Sequence, residues 1–213
     1  MRKYSIQISV VILILSMCFC AFTQPAAKQM LIQEGFRPYE FTEQDKSLLR
    51  EFGIYTGSNA MMYQFHAPEE AVDMLVRVYQ LENGRWLMRD KFGISIGEER
   101  EPVDRLSGMM SIHCLNKSDI VFRIHCAGIA EFPMTLDEIE DMEGLSWGYD
   151  FLDTCQQIQT GKEIPILLLA YNHDSSLTMT NLDNYLNEIP ETIPEDEAGD
   201  NLLDILVTVT FNE

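Results

Sequence analysis

Between residues 202 and 211 the chain alternates apolar and polar side chains with a period of two. Leu203, Ile205, Val207, Val209 and Phe211 share one face, while Asp204, Thr208 and Thr210 occupy the other. Successive side chains of a strand point to opposite sides of its sheet, so this segment predicts a strand with a core face and a solvent-facing polar set. Residues 166–170 contain no polar side chain, which predicts a central strand covered on both faces.

Upstream, a strand at 60–65 is broken by Ala67, Pro68, Glu69 and Glu70. Residues 74–81 and 85–88 then flank Asn83-Gly84. A two-residue type I′ turn needs positive φ at both central positions, and Asn-Gly supplies it, so the pair predicts a hairpin in which Leu81 faces Trp86 and Tyr79 faces Met88. A helix over 69–81 also fits Ala71, Leu75 and Val78. The β-branched content and the turn favour the strand. A second hairpin is expected at 109–115 and 120–126 around Asn116, Lys117, Ser118 and Asp119, and another strand at 147–151.

Helical structure is expected in two places. Thr42 and Asp45 have the spacing of a capping box, Leu48, Leu49 and Phe52 recur on one helical face, and Gly53 stands where a helix would stop. Leu182, Tyr185 and Leu186 suggest a turn or two near 181–187. Residues 24–41 read as a loose leader. Seven or eight short strands joined by turns rich in Gly, Pro and Asp predict a mainly β fold, an antiparallel β-sandwich with a short N-terminal helix. No βαβ alternation and no fixed repeat interval is present, which excludes a doubly wound fold, a propeller and a solenoid.

The N-terminus changes the setting of that fold. Arg2 and Lys3 precede an apolar run over 8–22 interrupted only by Ser9 and Ser16, and Ala21, Thr23, Pro25, Ala26 and Ala27 follow. Charged, apolar and small in that order is the pattern of a secretory signal. The run of about 15 residues falls short of the roughly 20 that span a bilayer, which favours a cleaved signal over a permanent anchor. Ala21 and Thr23 fit the two small subsites that a signal peptidase reads, placing cleavage after Thr23. Lipidation at Cys18 or Cys20 is the rival, although Met17 and Phe19 are larger than the residue expected before an acylated cysteine. The chain therefore divides into an export signal at 1–23, a leader and short helix at 24–53, and a single β-sandwich domain at 54–213. The expected location is extracytoplasmic, secreted or attached to the membrane through the N-terminal segment, with no further membrane insertion.

Without Arg2 and Lys3 the chain holds 13 basic and 34 acidic side chains, and 13 − 34 = −21. Such a surface repels nucleic acid and anionic lipid. Beyond the signal only Cys114, Cys126 and Cys155 remain. The odd number leaves at least one thiol outside any intrachain bridge, and the domain is too poor in Cys for a disulfide framework.

The doubled dipeptide His113-Cys114 and His125-Cys126 is the one constellation that invites zinc or a Cys-His nucleophile. If the turn is centred between Lys117 and Ser118, His113 faces Phe122, Cys114 faces Val121 and His125 faces Met110. His113 then shares a face with Cys126, and Cys114 with His125. Within each pair the offset is four positions, about 13 Å along a strand. Zinc needs its ligands about 2.0–2.3 Å from one point, and a disulfide needs Cα atoms within about 7 Å. Core cysteines and partly buried histidines are expected instead. Asp137, Glu138, Glu140, Asp141 and Glu143 crowd one segment without the order of a calcium loop. The acidic stretch 188–200 reads as an extended loop. Trp147, Tyr149 and Phe151 share a strand face, and a core stripe is favoured over a platform for sugar rings.

No Gly-x-Ser-x-Gly, His-Glu-x-x-His, Gly-rich phosphate loop or Cys-x-x-Cys occurs. No residue is assigned a catalytic, cofactor-binding or metal-ligating role, and no cofactor is expected. The expected function is that of an exported, non-enzymatic binding module whose partner is a protein or glycan outside the cytoplasm. The alternative is an extracellular polymer hydrolase working through paired carboxylates, which are recognised in space rather than in sequence.

Overall fold

The computed structural model describes residues 33–97, 103–136, 144–173, 181–190, 192–193 and 201–213. In chain order they form β1 (Gly35–Pro38), α1 (Glu43–Glu51), β2 (Ala60–His66), β3 (Asp73–Glu82), β4 (Arg85–Ser95), β5 (Ser107–Cys114), β6 (Asp119–His125), β7 (Ile129–Thr135), β8 (Ser146–Phe151), β9 (Glu163–Asn172) and β10 (Leu203–Asn212), with a 3₁₀ turn at Leu182–Tyr185 before β10. Two antiparallel sheets of five strands pack against each other, in the orders β1-β2-β5-β6-β7 and β4-β3-β10-β9-β8. The fold is thus a mainly β antiparallel sandwich. Among the described residues no helix is long and apolar enough to cross a membrane.

Alternation explains the core. From the first sheet Phe36, Tyr63, Phe65, Met110, Ile112, Ile120, Phe122 and Ile124 point inward, and Met74, Val76, Val78, Leu167, Leu169, Val207, Val209 and Phe211 meet them from the second. The β3–β4 hairpin turns on Asn83 and Gly84, with φ of 50° and 72°, and pairs Leu81 with Trp86 and Tyr79 with Met88. β9 lies between β10 and β8 and is buried on both faces from Ile164 to Tyr171.

The two strands without a sequence-level counterpart, β1 and β7, are the edges of the first sheet. β7 contains Pro133, which lacks the amide a central strand needs and is tolerated at an edge. β1 lies within the stretch expected to be a loose leader. Its Phe36 is fully buried, stacks on Tyr63 with ring centroids 4.8 Å apart and approaches Phe211 at 6.4 Å. On the side away from β2, Phe36 exchanges backbone hydrogen bonds with Gln156, at 2.9 and 2.8 Å. The sandwich therefore begins ahead of residue 54.

Helix α1 starts as expected. Thr42 accepts from the Asp45 amide, and Asp45 accepts from the Thr42 amide, completing the capping box. Its apolar residues do not join the core, however. The helix buries no residue, and Leu48 and Phe52 are 61% and 73% exposed.

Two tyrosines tie the sheets together. The β10–β9 ladder shifts register between Val207, which pairs with Leu167, and Thr208, which pairs with Pro165. Beside that shift the Ile166 carbonyl, on the β8 side of β9, accepts from the Tyr63 hydroxyl at 3.0 Å and the Leu152 amide at 3.1 Å. Tyr171 reaches the Lys117 carbonyl at 2.6 Å. Buried polar groups with partners of this kind fix one sheet against the other without an unsatisfied cost.

Candidate functional site

The outer face of the second sheet departs most from the sequence expectation. Val207 points inward, but Thr208 and Thr210, expected to face solvent, are fully buried as well. Their neighbours explain why. Arg77 on β3 pairs with Thr208 across the ladder, and Glu163 on β9 pairs with Thr210, so both charged side chains stand on the outer face beside the threonines. The Glu163 carboxylate accepts from the Tyr79 hydroxyl at 2.7 Å and Arg77 Nη1 at 3.3 Å on Oε1, and from the Thr208 hydroxyl at 2.9 Å on Oε2. Arg77 also donates to the Thr210 hydroxyl. Burial and the adjacent Glu163 carboxylate push the Tyr79 phenol well above its ordinary range, so it stays protonated and keeps donating. Further along this face burial pushes the Asp204 carboxyl up to about 6, against a bond from the Asn201 amide group at 2.8 Å.

Over this network the chain lays a short strap. Asn181 caps the 3₁₀ turn, the Leu182 amide donates to Asp150 Oδ2 on β8 at 2.9 Å, and Leu182 and Tyr185 are buried. The strap then follows the β3–β4 hairpin, where Thr192 bridges Arg85 and the Ile193 amide donates to the Gly84 carbonyl at 2.7 Å. A Cβ on Gly84 would stand 2.7 Å from the Ile193 carbonyl oxygen. Glycine is thus required there by the positive φ of the turn and by the approach of the strap.

Between strap, hairpin and the start of β9 lies a pocket of about 450 Å³, walled by Tyr79, Trp86 and Tyr185 and edged by Lys162, Glu163, Asn187 and Glu188. Trp86 and Tyr185 meet edge to face at 5.8 Å. Trp86 Nε1 is buried with no hydrogen-bond acceptor among the described residues. A pocket of this size, with aromatic walls and a few polar groups, has the dimensions and make-up of a small-molecule site.

The residues singled out from sequence lie elsewhere. In the β5–β6 hairpin Cys114 pairs with Ile120 and His113 with Val121, so the turn is centred on Lys117 and the register differs by one residue from the expected one. Asn116 sets it, its side-chain oxygen accepting from the amides of Ser118 and Asp119, both at 2.8 Å. A one-residue slip moves every side chain to the opposite pairing of faces. His113 and His125 therefore share the outer face, and Cys114 points into the core, where burial pushes its thiol up to about 12. The two histidines remain four positions apart, about 13 Å. Cys114, Cys126 and Cys155 are all free thiols. Among the described residues no group of three or more His, Cys, Asp or Glu is placed to hold a metal ion.

Trp147, Tyr149 and Phe151 pair with Tyr171, Leu169 and Leu167 and pack on the core, a structural stripe as favoured. The acidic segment 137–143 lies outside the described residues, as do 191 and 194–200 of the acidic stretch.

One further cluster resembles a catalytic dyad and is wired against that role. His66 Nδ1 lies 3.0 Å from the Ser107 hydroxyl, but Arg105 Nη1 lies 2.8 Å from His66 Nε2 and can only donate to it. Nε2 is thus the acceptor of a neutral ring and Nδ1 carries the proton, so the ring donates toward Ser107 and takes no proton from it. Burial and the Arg105 charge hold the His66 pKa below its ordinary value. Comparison with known protein families, curated proteins and solved structures gives no match.

Proposed function

We propose that the chain is an extracytoplasmic binding module, not an enzyme, and that it meets its partner through the outer face of the second sheet. The export signal read from residues 1–23 supports the location. The observation that carries the choice of class is the state of Glu163. A glycosidase needs one carboxyl group that delivers a proton and another that attacks or activates water. Glu163 and Glu188 both edge the pocket, which is what the hydrolase reading asks for, but Glu163 already accepts three hydrogen bonds from Arg77, Tyr79 and Thr208. Its oxygens are committed to holding β3, β9 and β10 in register, so it serves as a strut beneath a recognition surface.

The two roles separate in one variant. Glu163→Gln keeps the shape but weakens charge-assisted bonds, each worth about 1.5–3 kcal/mol, so the melting temperature should fall by about 5 °C. Incubation of the unmodified chain with soluble polysaccharides should release no new reducing ends. Release of reducing ends by the unmodified chain, abolished in Glu163→Gln at unchanged melting temperature, would replace the binding module by the hydrolase.

A further inference from the structure

Building on the binding-module reading, we infer that the outer pocket takes a neutral pyranose unit of a glycan, stacked on its aromatic wall and held by Lys162, Asn187 and Glu188. Elimination among ligand classes leads there. An anion meets the exposed Glu188 carboxylate on a protein of formal charge −19, and is repelled. For a cation Glu163 is already taken by Arg77, Tyr79 and Thr208, which leaves Glu188 on the rim as the carboxylate open to it, so a cation stands as the counter-probe of the test. An apolar ligand would bury the three rim groups. Lys162, Asn187 and Glu188 are exposed, and none makes a side-chain hydrogen bond or ion pair among the described residues. They are therefore available donors and acceptors.

A sugar ring uses every part of this lining. Its C–H face packs against Trp86 and Tyr185, its hydroxyls accept from Lys162 and Asn187, and they donate to Glu188. Trp86 Nε1 supplies the second, independent observation, since a donor buried without an acceptor stands in the wall of the pocket. A sugar ring stacked on this wall covers the Trp86 indole. Sugar binding must then change the surroundings of Trp86, one of only two tryptophans in the chain.

The test is titration of the full chain with hexamers of α- and β-linked glucose, N-acetylglucosamine, mannose and galactose, with choline chloride and inorganic phosphate as counter-probes, read by calorimetry and tryptophan fluorescence. At least one neutral hexamer should bind and shift the fluorescence. Asn187→Ala and Glu188→Ala lie on the exposed rim and should leave the melting temperature unchanged while weakening binding about tenfold each. Trp86→Phe should keep the ring, lose the N–H and weaken binding as well. No binding by any neutral hexamer, or binding that all three variants leave intact, overturns the inference. Choline or phosphate binding that the rim variants abolish overturns the sugar class and leaves the binding module standing. Hexamer binding followed by cleavage does the reverse, keeping the sugar and removing the non-enzymatic reading.

Discussion

Val207→Asp should cost about 4 kcal/mol or more and either lower the melting temperature by over about 10 °C or prevent folding. Val207 is fully buried on the inner face of β10, the middle strand of its sheet, and an isolated carboxylate there has no donor to meet it. Alternation alone would make Thr208→Asp harmless, but Thr208 is also fully buried and its hydroxyl lies 2.9 Å from Glu163 Oε2. A carboxylate at 208 would face another carboxylate, so it too should destabilise strongly. Ile129→Asp, at an edge position 72% exposed, should stay within about 0.5 kcal/mol. Urea unfolding of the three variants checks the order. A Val207→Asp protein as stable as Ile129→Asp would mean that the face assignment, or the strand, is wrong.

The second large effect lies in the expected leader. Phe36→Ala removes a ring that packs between Tyr63 and Phe211 at the junction of the two sheets, and aromatic truncations in a core cost about 3–5 kcal/mol. Tyr39→Ala, outside β1 and on a half-buried ring, should cost far less. Calorimetric melting of both variants separates a leader that is part of the sandwich from one that merely precedes it. A shift for Phe36→Ala no larger than for Tyr39→Ala would return β1 to the leader.

These two cases also mark where the sequence was legible. Strong period-two runs such as 203–211, the unbroken apolar segment at 166–170 and the Asn83-Gly84 turn were enough to predict the class of fold and the pairing of Leu81 with Trp86. Edge strands were not legible, because β1 has only four residues and β7, although Ala130, Phe132 and Met134 alternate with Glu131, Pro133 and Thr135, carries a proline that argues against a strand. The β5–β6 register turned on a single side chain, since Asn116 bonding to two amides draws the turn one residue tighter. The pocket was hidden for a different reason. Thr208 and Thr210 looked like a solvated face because nothing in their own segment announces Arg77 or Glu163, which lie more than a hundred and about forty-five residues away. Tyr79 and Trp86 were visible as hairpin partners, but the strap that turns them into a wall arrives from 182–190 and 192–193, which read as a helical turn or two near 181–187 followed by loop.

The proposed partner, a protein or glycan outside the cytoplasm, requires an exported sandwich, and fractionation of a bacterial host expressing the full chain, with N-terminal sequencing of the product, measures export directly. Arg2, Lys3 and the apolar run over 8–22 predict mature protein outside the cytoplasm starting near Gln24. A start at Cys18 or Cys20 carrying lipid would keep the export and fix the protein to the envelope. Intact protein beginning at Met1 and soluble in the cytoplasm would contradict it.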